Sequence, residues 1–140
     1  MRIRKAIKED KEAFSELYHQ LYSDNENKKS GLIPIEQSDF KNILLIAEDN
    51  EEIIGFIWAN FISFGFSRYG YVEDLYVKSE HRKKGIATSL ISALKDKFKE
   101  LNVEAVFITT EKENKEAINF FSKEGFNLCP GPWFYWDPLS

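Results

Sequence analysis

The sequence predicts a single α/β domain, and three observations carry that expectation. Two apolar, β-prone runs, Leu44 to Glu48 and Ile53 to Phe61, flank the short polar segment Asp49-Asn50-Glu51-Glu52, which is the pattern of antiparallel strands joined by a tight hairpin. A further β-prone run, Tyr71 to Val77, leads through a basic turn into a strongly amphipathic stretch from Ile86 to Leu101, whose apolar residues repeat at helical spacing. The chain of 140 residues is 43% hydrophobic and 30% charged, enough apolar surface for one core spanning 1–140 without metals or disulfides.

The elements follow in order. Arg2 to Ala6 reads as a first strand, and from Glu9 the residues Phe14, Leu17, Tyr18, Leu21 and Tyr22 mark one face of a helix. Ser23 to Gly31 is a polar loop, and Pro34 followed by Ser38-Asp39-Phe40 suggests a short helix or turn. After the hairpin, Ser63 to Arg68 is expected to connect to the fourth strand, Tyr71 to Val77. The next helix places Ile86, Leu90, Leu94, Phe98 and Leu101 on one stripe. Val103 to Thr109 is a fifth strand, and Asn114 to Lys123 a helix carrying Ala117, Phe120 and Phe121, with Gly125 at the left-handed position beyond it. Trp133 to Trp136 is the expected last strand.

Composition removes several classes of function. A net charge of -4, with basic residues interspersed among acids, gives no field that would gather nucleic acid. No apolar run reaches the length of about 18 residues that spans a bilayer, and Met1-Arg2-Ile3-Arg4-Lys5 lacks the apolar stretch of a signal peptide. Cys129 is the single cysteine, so the expected setting is the cytoplasm, with no membrane and no nucleic-acid partner. No pair of histidines or cysteines has metal-ligand spacing, and no metal is expected.

The most informative stretch is Glu80-His81-Arg82-Lys83-Lys84-Gly85-Ile86-Ala87-Thr88. It puts a glycine between a strand and the first turn of a helix, where backbone N–H groups lack internal acceptors and carry partial positive charge. A pyrophosphate can take up several such groups at once. Gly85 lets the backbone approach closely, and Arg82, Lys83 and Lys84 add cationic side chains. Neither the P-loop sequence nor the dinucleotide glycine fingerprint is present.

Arg82-x-x-Gly85-x-Ala87 after the strand Tyr71 to Val77 resembles the acetyl-CoA signature of the GNAT acetyltransferases. Asn114 to Phe126, with Ala117, Phe120-Phe121 and the terminal Gly125-Phe126, is similar to the family's second motif. The resemblance implies a GNAT-like fold, with a mixed, mostly antiparallel sheet, splayed fourth and fifth strands and flanking helices. Within the family, Ile54-Gly55-Phe56 and Val72 to Val77 resemble polyamine acetyltransferases. Glu80 to Thr88 with Trp133-Phe134-Tyr135-Trp136 resembles aminoglycoside 3-N-acetyltransferases.

From this resemblance follow the expected roles. Acetyl-CoA is the cosubstrate, its pantetheine arm on backbone groups of Leu75, Tyr76 and Val77 and its pyrophosphate on the turn from Lys83 to Thr88, including Ile86 and Ala87. Asn114 meets the pantetheine or the adenosine side. Glu73 is the first choice for the base that takes the amine proton, and Glu111 the second. Phe121 stands where many relatives carry a tyrosine that protonates the departing thiolate, and phenylalanine has no proton to give. Tyr76, Tyr135, Cys129 or solvent are the alternatives. The acceptor implied is a primary amine on a small polycation, polyamine-like or aminoglycoside-like, and a homodimer is the implied assembly. A protein or peptide N-terminus as acceptor, and a non-catalytic acyl-CoA sensor, are the alternative functions.

Overall fold

The structure is a computed structural model that describes residues 1–22, 42–64, 67–131, 134 and 136–139. They fall into two compact units, Met1–Thr109 and Thr110–Ser140. The first contains β1 (Arg2–Lys5), a 3₁₀ turn (Lys8–Asp10), α1 (Lys11–Tyr22), β2 (Asn42–Asp49), β3 (Glu52–Phe64), β4 (Ser67–Val77), a 3₁₀ turn (Ser79–His81), α2 (Ile86–Glu100) and β5 (Ala105–Ile108). The strands form one sheet in the order β1-β2-β3-β4-β5. Neighbours from β1 to β4 are antiparallel, and β5 runs parallel to β4.

The hairpin between β2 and β3 turns on Asn50 and Glu51, both with positive φ, 49° and 64°. That is what a two-residue turn matching the right-handed twist of its strands requires. Ile43 to Ala47 on β2 and Ile53 to Ile57 on β3 are all buried, with no polar alternation, because helices cover both faces of the sheet's centre. On one face Phe14 and Leu17 of α1 meet Leu44, Ile46 and Phe56, with Tyr18, Trp58 and Tyr76 around them. On the other, α2 lies across β2, β3 and β4 and buries Ile86, Leu90, Ile91, Leu94 and Phe98. Gly70 makes room for Phe98: a Cβ there would lie 2.4 to 2.8 Å from its ring atoms.

The entry to α1 is fixed by charge. Arg4 holds Asp10 through two nitrogens at 2.7 and 2.8 Å, and the Ile7 N–H donates to the same carboxylate at 2.8 Å. The Arg4 guanidinium holds the Asp10 carboxyl below its ordinary range, since hydrogen bonds to the ionised form favour it.

Sequence boundaries moved most at the β3–β4 connection and at the fifth strand. Ser63, Phe64, Ser67 and Arg68 belong to β3 and β4, where Ser63 pairs with Arg68 and Phe64 with Ser67, because the ladder keeps satisfying backbone groups beyond the apolar run. The fifth strand is shorter than expected, Ala105–Ile108. Ser23 to Gly31 and Ser38-Asp39-Phe40 lie outside the described residues.

The second unit holds α3 (Lys115–Lys123). Asn114 is its N-cap, the side-chain oxygen accepting from Ala117 N–H at 3.0 Å. At the other end Gly125 has φ 89°, Gly125 N–H donates to Ser122 O, and Phe126 N–H to Phe121 O. The Phe121 and Phe126 rings lie 5.9 Å apart, which completes a Schellman cap with its apolar contact. Of the expected last strand, Trp133 and Tyr135 lie outside the described residues. Phe134 and Trp136 belong to no strand and are 89% and 81% exposed.

Candidate active site

The sheet opens beside β4. Its parallel ladder with β5 runs from Tyr69↔Ala105 to Val72↔Ile108 and stops there, while β4 continues to Val77 against β3. Among the described residues, the β5 side of Glu73 to Val77 therefore carries no strand. Lys78 N–H donates to Ile54 O, and in an antiparallel ladder alternate residues aim their N–H and C=O at opposite edges. The backbone of Tyr76 is thus turned to β3, and the backbone groups of Leu75 and Val77 to the open side.

The strand ends in the turn that the sequence singled out. Gly85 is the N-cap of α2 with φ 79° and ψ 9°, no side chain caps the helix, and no acidic residue sits in its first turn. A Cβ built on Gly85 would have nothing within 4 Å, so the space beside Gly85 is open. Lys83 also has a positive φ, 61°, and Lys83 and Lys84 are exposed. The first intrahelical bonds come from Ser89, whose N–H and hydroxyl both donate to Gly85 O. Thr88 is exposed in the same first turn.

Arg82 does something different from its neighbours. Its Nε donates to Val77 O at 2.8 Å, and its guanidinium carbon lies 5.3 Å from the centre of the Tyr76 ring, within cation–π range. It braces the turn against the end of β4. Tyr76 in turn packs against Phe56 at 6.3 Å between ring centroids. Lys78 is bonded to Glu52 at 2.5 Å, and that bond holds its ammonium pKa above the usual value.

Glu73 sits at a β-bulge. Trp58 pairs with Asp74 and Ala59 with Val72, so Glu73 is the extra residue that β3 does not match. Asn60 Nδ2 donates to Glu73 Oε1 at 3.0 Å, which puts Glu73 on the sheet face of Asn60. Asp74, in register with Trp58, shares that face. A regular strand sends Glu73 and Asp74 to opposite faces, and the bulge removes that alternation. Tyr71 closes the end of the opening, its hydroxyl 2.7 Å from Thr109 Oγ1.

The remaining sequence candidates belong to the second unit. Glu111 is exposed and follows β5 by a short coil rather than ending it. Its carbonyl accepts the Asn114 N–H at 3.0 Å. The Asn114 side-chain oxygen is used in the helix cap, and the Phe121 ring packs between Phe120 and Phe126. Cys129 is exposed. The residue that sequence reasoning missed is Asn60. Its signal was an amide inside the apolar run Ile53 to Phe61, where a polar side chain calls for a partner.

The frame of the site is thus an α/β sheet parted beside β4, with the strand running into a basic turn that ends at Gly85, the N-cap of α2. Residues 4–126 match the Acetyltransferase (GNAT) family, and the chain belongs to it. It is 30% identical over 139 residues to the uncharacterized N-acetyltransferase YhfO of Bacillus subtilis (strain 168), covering 94% of this chain and 93% of that protein. An N-alpha-acetyltransferase of Sulfurisphaera tokodaii is 31% identical over 98 residues, 63% of this chain and 58% of that one. Among solved structures, AAC(6′)-Iy in complex with the bisubstrate analogue CoA-S-monomethyl-acetylneamine matches with a TM-score of 0.84 at 22% identity, over 97% of each chain. That likeness is one of fold. No helix among the described residues is long and apolar enough to cross a membrane.

Proposed function

We propose that residues 1–140 form one N-acetyltransferase domain that moves the acetyl group of acetyl-CoA to a primary amine of a small cationic acceptor, polyamine-like or aminoglycoside-like. The observation that carries this reading is the open side of β4, with the backbone groups of Leu75 and Val77 turned to it, continuing into the helix N-terminus at Gly85 that no side chain caps. Leu75 and Val77 hold the pantetheine arm by main-chain bonds, and the N–H groups around Gly85, Ile86 and Ala87 hold the pyrophosphate. Lys83 and Lys84 add attraction from their exposed ammonium groups, while Arg82 keeps the turn in place.

Acetyl-CoA supplies the activated acyl group; the chain supplies position and proton traffic. An alkylamine with a lysine-like pKa near 10.4 is mostly protonated at neutral pH, and presenting it as the free base costs ~4.6 kcal/mol at pH 7. Glu73 takes that proton, directly or through one water. Asp74 on the same face adds negative charge that favours a cationic acceptor over a neutral one. The departing thiolate takes its proton from solvent or from the Tyr76 hydroxyl, since Phe121 has none to give.

A second reading, acetylation of a protein N-terminus, is favoured by the likeness to an N-alpha-acetyltransferase. One screen separates the two: acetyl-CoA turnover on spermidine, neamine and a short peptide with a free N-terminus. Turnover of the first two supports the small-acceptor reading, and turnover of the peptide alone replaces it. Binding of acetyl-CoA with no turnover on any acceptor would make the chain an acyl-CoA sensor. Glu73→Gln should lower kcat by about a hundredfold at pH 7 with acetyl-CoA affinity unchanged, and the loss should shrink as pH rises and free amine accumulates. A loss equal at every pH would remove Glu73 from the proton path and leave Glu111 as the next candidate. A cytoplasmic homodimer belongs to the same proposal, and light scattering on the purified protein tests the assembly.

A further inference from the structure

We infer that Asn60 is a positioning residue for Glu73, holding its carboxylate in the orientation that takes the acceptor's proton; the inference rests on the base role proposed above. The residue at a bulge has no partner across the ladder, so the pleat does not fix where its side chain points. Asn60, half-buried on β3, supplies what the pleat does not, through Nδ2 to Glu73 Oε1 at 3.0 Å. An amide nitrogen only donates, and an ionised carboxylate only accepts. The bond fastens one oxygen and survives protonation at the other, since a neutral carboxyl still accepts through its carbonyl oxygen; Oε2 is left for the incoming proton.

On its own face of β3 Asn60 lies between half-buried Trp58, bonded to the Asn42 side chain at 3.2 Å, and exposed Ile62, while the buried Ile57, Ala59 and Phe61 face the other side of the sheet. On that half-open face the amide has the carboxylate on the bulge as its side-chain partner.

The test has an arm that needs no acceptor. In the ¹⁵N-labelled full chain, the Asn60 side-chain amide signal should move with a single carboxylate titration. That movement should vanish in Glu73→Gln and persist in Asp74→Asn. A signal that does not titrate, or that titrates in Glu73→Gln and not in Asp74→Asn, overturns the pairing. The kinetic arm uses whichever of spermidine, neamine and the peptide turns over fastest. Asn60→Ala should lower kcat about tenfold with KM for acetyl-CoA within twofold of wild type, and Asn60→Thr, which keeps a donor on a strand-compatible side chain, should recover part of the loss. In a Glu73→Gln background, Asn60→Ala should cost less than twofold. Equal costs in both backgrounds overturn the inference. Should Asn60→Ala fail to fold, Asn60→Thr alone carries this cycle. If Glu73→Gln keeps full activity, the base role fails and this inference with it, and an amide titration lost in that variant distinguishes this case from a pair that never formed.

Discussion

Gly85 separates backbone strain from ligand approach, because a side chain placed there meets open space. With no atom within 4 Å of a built Cβ and φ at 79°, Gly85→Ala pays only the left-handed conformation, ~1 kcal/mol. For a chain of 140 residues that corresponds to a fall in Tm of roughly 4 °C. Gly85→Asn, which tolerates the left-handed region better, should lose less. Gly85→Glu adds a negative charge beside the place assigned to the pyrophosphate. Two unit charges about 5 Å apart repel by roughly 1 to 3 kcal/mol for dielectric constants between bulk water and a protein surface. Acetyl-CoA should therefore bind about fivefold to a hundredfold more weakly. Gly85→Lys adds comparable bulk with the opposite sign and should keep more affinity than Gly85→Glu, with the difference narrowing in high salt. Thermal melts followed by circular dichroism read the Ala and Asn variants, and titration calorimetry on the folded Glu and Lys variants reads the affinities. Equal affinity in Gly85→Glu and wild type, or equal losses in the Glu and Lys variants, would refute the placement of the anion at this turn.

Two further outcomes concern stability. Arg4→Ala removes the paired bonds to Asp10, which is 8% exposed, and should cost about 2 kcal/mol in urea unfolding at pH 7. Because the folded Asp10 carboxyl lies below its ordinary value, its contribution is complete above the unfolded value near 4 and is lost as pH falls through the folded one. The gap between wild type and Arg4→Ala should therefore shrink toward pH 2, and a gap independent of pH would contradict the argument. Gly70→Ala would place a Cβ 2.4 Å from a ring atom of the buried Phe98, and overpacking of this kind costs about 1 to 3 kcal/mol. An unchanged Tm would mean that the ring moves aside freely.

What was legible in the sequence was local. The hairpin showed in Asp49-Asn50-Glu51-Glu52 because the positive φ values at Asn50 and Glu51 belong to the turn itself. The start of α2 showed because a glycine precedes a helical stripe, and the bounds of α3 because Asn114 and Gly125-Phe126 cap it. The last two also explain why that motif is recognisable: its most distinctive residues delimit a helix. The end of β3 and the start of β4 were not legible, since Ser63 and Phe64 extend the ladder only by pairing with Arg68 and Ser67. The parting of β5 from β4 was expected from the family resemblance alone, and in the structure their ladder stops at Val72↔Ile108.

The candidate site divides along the same line. Arg82, Lys83 and Lys84 are equivalent as letters, but a bond from Arg82 to Val77 O and its ring contact with Tyr76 make it part of the scaffold. All three are exposed, and Arg82 is the one fastened to the end of β4. Glu73 and Asp74 show the other limit. Strand alternation assigns them to opposite faces, and a single unmatched residue on β4 cancels that assignment without leaving a mark in the local sequence. Once both carboxylates share a face, they are no longer interchangeable. Asp74 keeps a place in the ladder opposite Trp58, while Glu73 stands outside it and accepts a hydrogen bond from Asn60. A group freed from the pleat and then fastened at one oxygen is both oriented and available, and that is the combination a proton acceptor needs.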